Sequence, residues 1–265
     1  MASVVNLAQE LVDLIISYHA CDTPTLLACS MTCRSWYIAA VPHLHHSLTT
    51  YNKAWYSQDE KYEWPKPLQK SYELGLLRFV KRLRIRQNGV EFTAGQIKHC
   101  STLEHFTALK NLQMLEIEDL QVFSFVPNIQ KYFGYFAPTL RYLSLLRPQG
   151  SWHHILYFIG LFPNLQDLIL YDPYLKEEGE SAADPALVPL SQPPLGGGLL
   201  LAYSEGEEAF VEGAIKFFNG LHFRYMHLYD VNCTRLLLEA CAKTLETLRL
   251  YLPDPYGEDF PGENS

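Results

Sequence analysis

The chain has 265 residues, 48% hydrophobic and 19% charged, enough for one large domain or two unequal ones around a real core. Its 21 Lys and Arg against 29 Asp and Glu leave a net charge of −8, a field that repels phosphate and excludes general binding of nucleic acid or an anionic membrane. No apolar run reaches the length of a membrane span, and the six cysteines are spread too thinly for a disulfide scaffold.

In chain order, "NLAQELVDLIISY" predicts a helix capped by Asn6, with Gln9 three residues on to close a capping box. Leu11, Leu14, Ile15 and Tyr18 form one apolar stripe and Val12 and Ile16 a second, so this short helix needs neighbours on two sides. Glu10 and Asp13 interrupt the apolar content and no basic segment precedes it, which argues against a secretion signal. The expectation is therefore a cytoplasmic or nuclear protein with reduced thiols.

A second helix is predicted from Thr23 as cap and Pro24 at the first helical position. Steps of three and four carry it through Leu26, Cys29, Cys33, Trp36 and Ala40, placing both cysteines on one apolar face. Cys29, Cys33, one of His43, His45 or His46, and a strained Cys21 would be needed for a tetrahedral metal site. The paired C-x₂-C knuckle is missing, and thiols are common core fillers on helices, so buried structural cysteines and no metal are expected.

The first 45 residues resemble the F-box. Leu7, Glu10, Leu11, Ile15, Ile16, Leu26, Leu27, Cys33, Arg34 and Trp36 follow its order and spacing, with "ELVDLII" and "LLACSMTCRSW" similar to F-box proteins of mushroom-forming fungi. Ala8 replaces the usual proline, and Thr32 the usual valine. The resemblance implies a three-helix module that docks a Skp-type adaptor of a cullin–RING ubiquitin ligase. Carried over onto this sequence, Leu7, Ala8, Leu11, Ile15, Cys33 and Trp36 make that contact, although the same residues also serve to pack three helices together.

Residues 46–75, aromatic and charged, read as a connecting segment. From 76 to 252 a pattern L-x-x-L-x-L recurs in "VKRLRI", "LQMLEI", "LRYLSL", "LQDLIL", "LETLRL" and, more weakly, "FRYMHL". Its last apolar positions are Ile85, Ile117, Leu145, Leu170, Leu228 and Leu250, and a degenerate copy in "LLLAYS" near Leu201 divides the long gap. These spacings resemble an irregular leucine-rich repeat, with the asparagine-ladder position mostly lost. Helices are predicted in "VFSFVPNIQKYFGYF", "SWHHILYFIGLF", "EEAFVEGAIKFFNGL" and "CTRLLLEACAK". The fold class is thus α/β: a short three-helix module, then a solenoid with a parallel sheet on its concave face. A loop insertion interrupts it at about 174–198, with Gly196–Gly198 read as a flexible linker and not a phosphate loop. Residues 253–265 form an acidic tail.

Strand alternation sends the residues around each apolar pair to the opposite face. That face would carry Arg82, Arg84 and Arg86, then Met114, Glu116 and Glu118, then Tyr142, Ser144 and Leu146, then Asp167, Ile169 and Tyr171. Tyr225, His227, Tyr229, Thr247, Arg249 and Tyr251 complete it. Tyrosine and arginine anchor many protein interfaces, so Arg82, Arg84, Arg86, Tyr142, Tyr171, Tyr225, Tyr229 and Tyr251 are the candidate substrate residues, with the arginines a cradle for an acidic or phosphorylated segment. Tyrosine is equally a good strand residue, and the arginines equally a solvated edge. No catalytic motif and no cofactor signature is evident. Two functions follow: a substrate-recognition subunit of a Skp–cullin–F-box ligase, or a leucine-rich scaffold that no longer recruits one. In either case the partners are proteins, with no nucleic acid and no membrane.

Overall fold

The computed structural model describes residues 7–51, 66–86, 107–119, 133–175, 193–202, 207–218, 220–229 and 233–251. The chain is mixed α/β, with an N-terminal helical region followed by an eight-stranded parallel sheet.

The helical region consists of α1 (Gln9–Tyr18), α2 (Thr23–Ser30) and α3 (Arg34–Leu44). Its core is the small cluster of Val12, Ile16, Leu26, Ala39 and Ala40, with Cys29, Trp36 and Leu44 packed against it. The continuous second helix expected from the apolar spacing is broken at Met31–Cys33. Ser30 Oγ donates to the Leu27 carbonyl at 2.7 Å and Thr32 Oγ1 to the Cys29 carbonyl at 2.8 Å, which turns the chain out of helical geometry. Cys33 restarts the helix as an extended N-cap, φ −160°. Cys29 and Cys33 therefore do not share a helix face, and Cys21 and Cys33 are exposed, against the expectation of buried thiols. The caps differ as well. Ala8 stands at the N-cap of α1 without a side-chain bond, and Asn6 lies outside the described residues. Asp22, not Thr23, caps α2, accepting from Thr25 N at 3.2 Å and from Thr25 Oγ1 at 2.6 Å.

The segment 46–75 is more than a connection. Ser47–Tyr51 forms β1, the first strand of the sheet, and Lys66–Glu73 forms α4 before a 3₁₀ turn at Leu76–Phe79. The sheet continues with β2 (Arg82–Arg86), β3 (Met114–Glu118) and β4 (Tyr142–Leu146). Gln149–Gly150 forms β5, Trp152–Ile159 α5, Asp167–Tyr171 β6 and Tyr174–Leu175 β7. The chain ends with β8 (Gly198–Ala202), α6 (Glu207–Phe217), β9 (Tyr225–Tyr229), α7 (Thr234–Cys241) and β10 (Thr247–Tyr251). The main sheet runs β1-β2-β3-β4-β6-β8-β9-β10, each strand beside its sequence neighbours, while β5 and β7 pair separately.

Register is unbroken. Leu83, Leu115, Leu143, Leu168, Leu199, Met226 and Leu248 make one row, and Ile85, Ile117, Leu145, Leu170, Leu201, Leu228 and Leu250 the next. All are buried except the two on β10, where Leu250 is 50% exposed on the outermost strand. Helices α5, α6 and α7 pack in succession against this core. The helix predicted over 122–136 lies largely outside the described residues, but Phe133 and Phe136 at its end are buried and meet Phe158 and Phe162 in edge and stacked contacts.

The turns before the strands carry a ladder of polar side chains. Asn111 Nδ2 donates to the Arg78 carbonyl (2.8 Å), Thr139 Oγ1 to Leu112 (2.7 Å), Asn164 Nδ2 to Pro138 (2.7 Å) and Thr244 Oγ1 to Phe223 (3.2 Å). Each satisfies a carbonyl of the preceding turn that no helix or strand occupies. The glycine run forms the entry to β8: Gly198 N donates to Asp167 Oδ1 at 2.5 Å, and a Cβ on Gly197 would overlap the same carboxylate. Close approach to Asp167 thus accounts for Gly197 and tightens the space at Gly198, while Gly196 has ordinary contacts. Of the insertion expected at about 174–198, residues 176–192 lie outside the described residues.

Candidate partner-binding surfaces

The first surface is α1. The helix is two-sided, as its stripes predict. Val12 and Ile16 are 1% and 0% exposed, whereas Leu11, Leu14 and Ile15 are 49%, 51% and 37% exposed and Tyr18 more so. Residues at i, i+3, i+4 and i+7 share a helix face, so these four side chains form one apolar stripe, extended by exposed Leu7 before the helix. Ala8 is exposed at the cap, and Gln9 ties the helix to α3 by accepting from Ser35 Oγ at 2.6 Å. Of the remaining expected contact residues, Cys33 is exposed, whereas Trp36 is half-buried against the small core. Leu27, Met31, Tyr37 and Ile38 add exposed apolar surface from α2 and α3. Their exposure was not read from the sequence, whose predicted apolar face ran through Leu26, Cys29, Cys33, Trp36 and Ala40.

The second surface is the face of the sheet turned away from the core. Burial alternates along β2, β6 and β9, whereas Glu116 on β3 and Ser144 on β4 are buried on the outward side and β10 is largely exposed. Strand β1 extends this face with Ser47 and Thr49, set opposite Arg82 and Arg84. Arg82 and Arg84 both pair with Glu116 on the neighbouring strand, whose side chain is only 8% exposed. Two of the three cradle arginines thus already share an internal carboxylate, and Arg86 alone of the three has no carboxylate partner among the described residues. Outward glutamates on β3 set beside outward arginines on β2 were the signal for this network. A cleft of about 600 Å³ at the ends of these strands gathers Arg84, Arg86 and Glu118.

Next to this network, Tyr142 is half-buried. Burial, reinforced by the Glu116 charge, pushes its hydroxyl above the ordinary tyrosine value. Arg147, in a left-handed conformation after β4 (φ 49°), clamps Asp119 (2.8 Å) and Glu118 (2.6 Å), and these bonds hold its guanidinium above the ordinary arginine value. The middle of the face is apolar: Leu146, Ile169, Leu200 and Ala202, with Tyr171 beside them. At the far end Tyr229 and Tyr251 stack with centroids 4.0 Å apart and planes 3° from parallel, and Tyr225 is exposed. The eight candidate residues therefore lie on one face, with the arginines and Tyr142 at one end, Tyr171 beside the apolar middle, and Tyr225, Tyr229 and Tyr251 at the other end.

Among the described residues no group of three His, Cys, Asp or Glu is placed to hold a metal ion, and no helix is long and apolar enough to cross a membrane. Compared with known proteins, the chain matches no protein-family model and no curated protein.

Proposed function

We propose that this chain is the substrate-recognition adaptor of a Skp–cullin–F-box ubiquitin ligase. Its N-terminal helices are the F-box, and the repeating strand units behind them form an irregular leucine-rich solenoid whose outward sheet face binds a protein substrate. The observation that carries the reading is the exposed stripe of Leu11, Leu14, Ile15 and Tyr18 on a helix whose opposite side is packed. A small helical unit that leaves half its apolar residues in water is arranged to bury them against a partner. The adaptor itself performs no chemistry; it raises the effective concentration of the substrate beside a charged ubiquitin carrier. The apolar middle and tyrosine end of the sheet face supply area and polar tips for a protein segment. Co-purification with a Skp-type adaptor tests the reading, using Leu11→Asp/Ile15→Asp. Wild-type capture that the double variant abolishes supports it. Absence of wild-type capture, or equal capture by the variant, leaves the scaffold function in its place.

A further inference from the structure

A cleft of about 420 Å³ opens between the helical region and the edge of the sheet where the strands begin. Its described lining includes His43, His46, Arg78, Lys81, Gln113 and Thr139, and no carboxylate. In a chain of net charge −8 this is a local reversal of sign. Arg82, Arg84, Arg147 and Arg224 each pair with acids, but Arg78 and Lys81 have no carboxylate partner among the described residues. Arg78 instead lies over the Phe79 ring, 4.6 Å from its centroid, which orients its planar fork.

The backbone holds these groups in place. The His46 carbonyl accepts from Lys81 N (2.8 Å) and Arg82 N (3.0 Å), and the Lys81 carbonyl accepts from Gln113 N (2.8 Å) and Met114 N (2.9 Å). His46, Lys81 and Gln113 therefore stand in a row at the strand spacing of about 4.8 Å. The same bonds occupy the carbonyls that would otherwise repel an anion. His46 Nδ1 lies 2.5 Å from the His43 carbonyl, and since a carbonyl only accepts, Nδ1 carries the hydrogen. That contact orients the ring at the cleft, where Nε2 donates to an anion only when the ring carries a second proton.

We infer that this cleft binds a phosphoryl group, as a phosphate monoester or diphosphate. Two full cations beside two imidazoles match a dianion better than a single carboxylate, and an arginine fork matches phosphate oxygens. The volume exceeds one phosphate and leaves room for the molecule or peptide that carries it. A ligand seated there touches both the helical region and the sheet, which goes beyond substrate capture on the sheet face and beyond docking through α1.

The test is isothermal titration of the full chain, without any adaptor, so that its outcome is independent of the ligase reading. The probes are pyrophosphate and a phosphoserine peptide beside its unphosphorylated form. Saturable binding of either phosphorylated probe is expected. Arg78→Gln and Lys81→Gln should each weaken it about tenfold, the loss of one charge-assisted hydrogen bond. Gln113→Glu, which adds an anion and removes no cation, should abolish it, while Arg235→Gln on exposed α7 should leave it unchanged. Which probe binds tells a free ligand from a modified segment. No saturable binding of either probe, or wild-type affinity in Arg78→Gln and Lys81→Gln, overturns the inference.

Discussion

The helical region and the sheet dispose of their apolar residues in opposite ways. In the sheet, row upon row of leucine and isoleucine is driven below a few percent exposure, and one continuous cluster runs from Leu77 to Cys241. In the helical region a cluster of five residues holds three helices, while Leu11, Leu14, Tyr18, Leu27, Met31 and Ile38 remain in water. Burial of a Leu or Ile side chain contributes roughly 2 kcal/mol, so a small unit that declines this much of it is shaped by something other than its own stability. The sheet buries its apolar rows within itself; the helices leave much of their apolar surface exposed.

The largest expected effects test whether these are two cores. Phe158→Ala removes a ring that meets Phe133 at 5.4 Å and Phe162 at 5.3 Å, and should cost the sheet about 4 kcal/mol. Ile16→Ala should cost the helical region about 3 kcal/mol. Native-state hydrogen exchange resolves the two: each variant should lose protection in its own region and leave the other near wild type. Equal loss in both regions from either variant would show a single cooperative core.

A smaller effect concerns the outward sheet face, where the sheet does hold charge. Glu116→Ala leaves Arg82 and Arg84 side by side without their shared carboxylate, and should destabilise by about 2 kcal/mol, read from urea unfolding. Glu246→Ala breaks the exposed pair with Arg224 and should cause no measurable change. If the two variants behaved alike, the arginine end would be a solvated edge free to meet an acidic partner. If Glu116→Ala alone is costly, that end is structural, and the tyrosine end is where a substrate has most to gain.

What was legible in the sequence follows the same divide. The strands β2, β3, β4, β6, β9 and β10 and their facing were readable because a two-residue alternation repeated in register leaves one assignment. Strand β1 was not, since "SLTTY" has no leucine pair, and the pairing with β2 is set by tertiary contact. The break between α2 and α3 carries no Gly or Pro; Ser30 and Thr32 make it through hydroxyl bonds, a local competition that periodicity does not register. On the face itself, alternation placed Glu116 correctly, but its pairing with two arginines depends on a strand 30 residues away in sequence and on register across the pair. The tyrosine stack at Tyr229 and Tyr251 arises in the same way.

The smallest expected effect belongs to the helical region. Asp22 caps α2, and the hydroxyl and backbone N–H of Thr25 hold its carboxyl below the ordinary value of 3.8. Because the folded-state value is depressed, the cap contributes its full stability above the unfolded value. That contribution is lost as pH falls through the folded value. Exchange of α2 amides followed from neutral to strongly acid pH should therefore show protection declining in that lower window. Asp22→Asn keeps a capping oxygen without a titrating group, and should remove this decline while preserving protection at neutral pH. Asp22→Ala should lower protection at every pH. Identical acid slopes in wild type and Asp22→Asn would detach the cap from the acid sensitivity of the helices. The sheet, whose amides are far from Asp22, serves as the internal reference in the same spectrum.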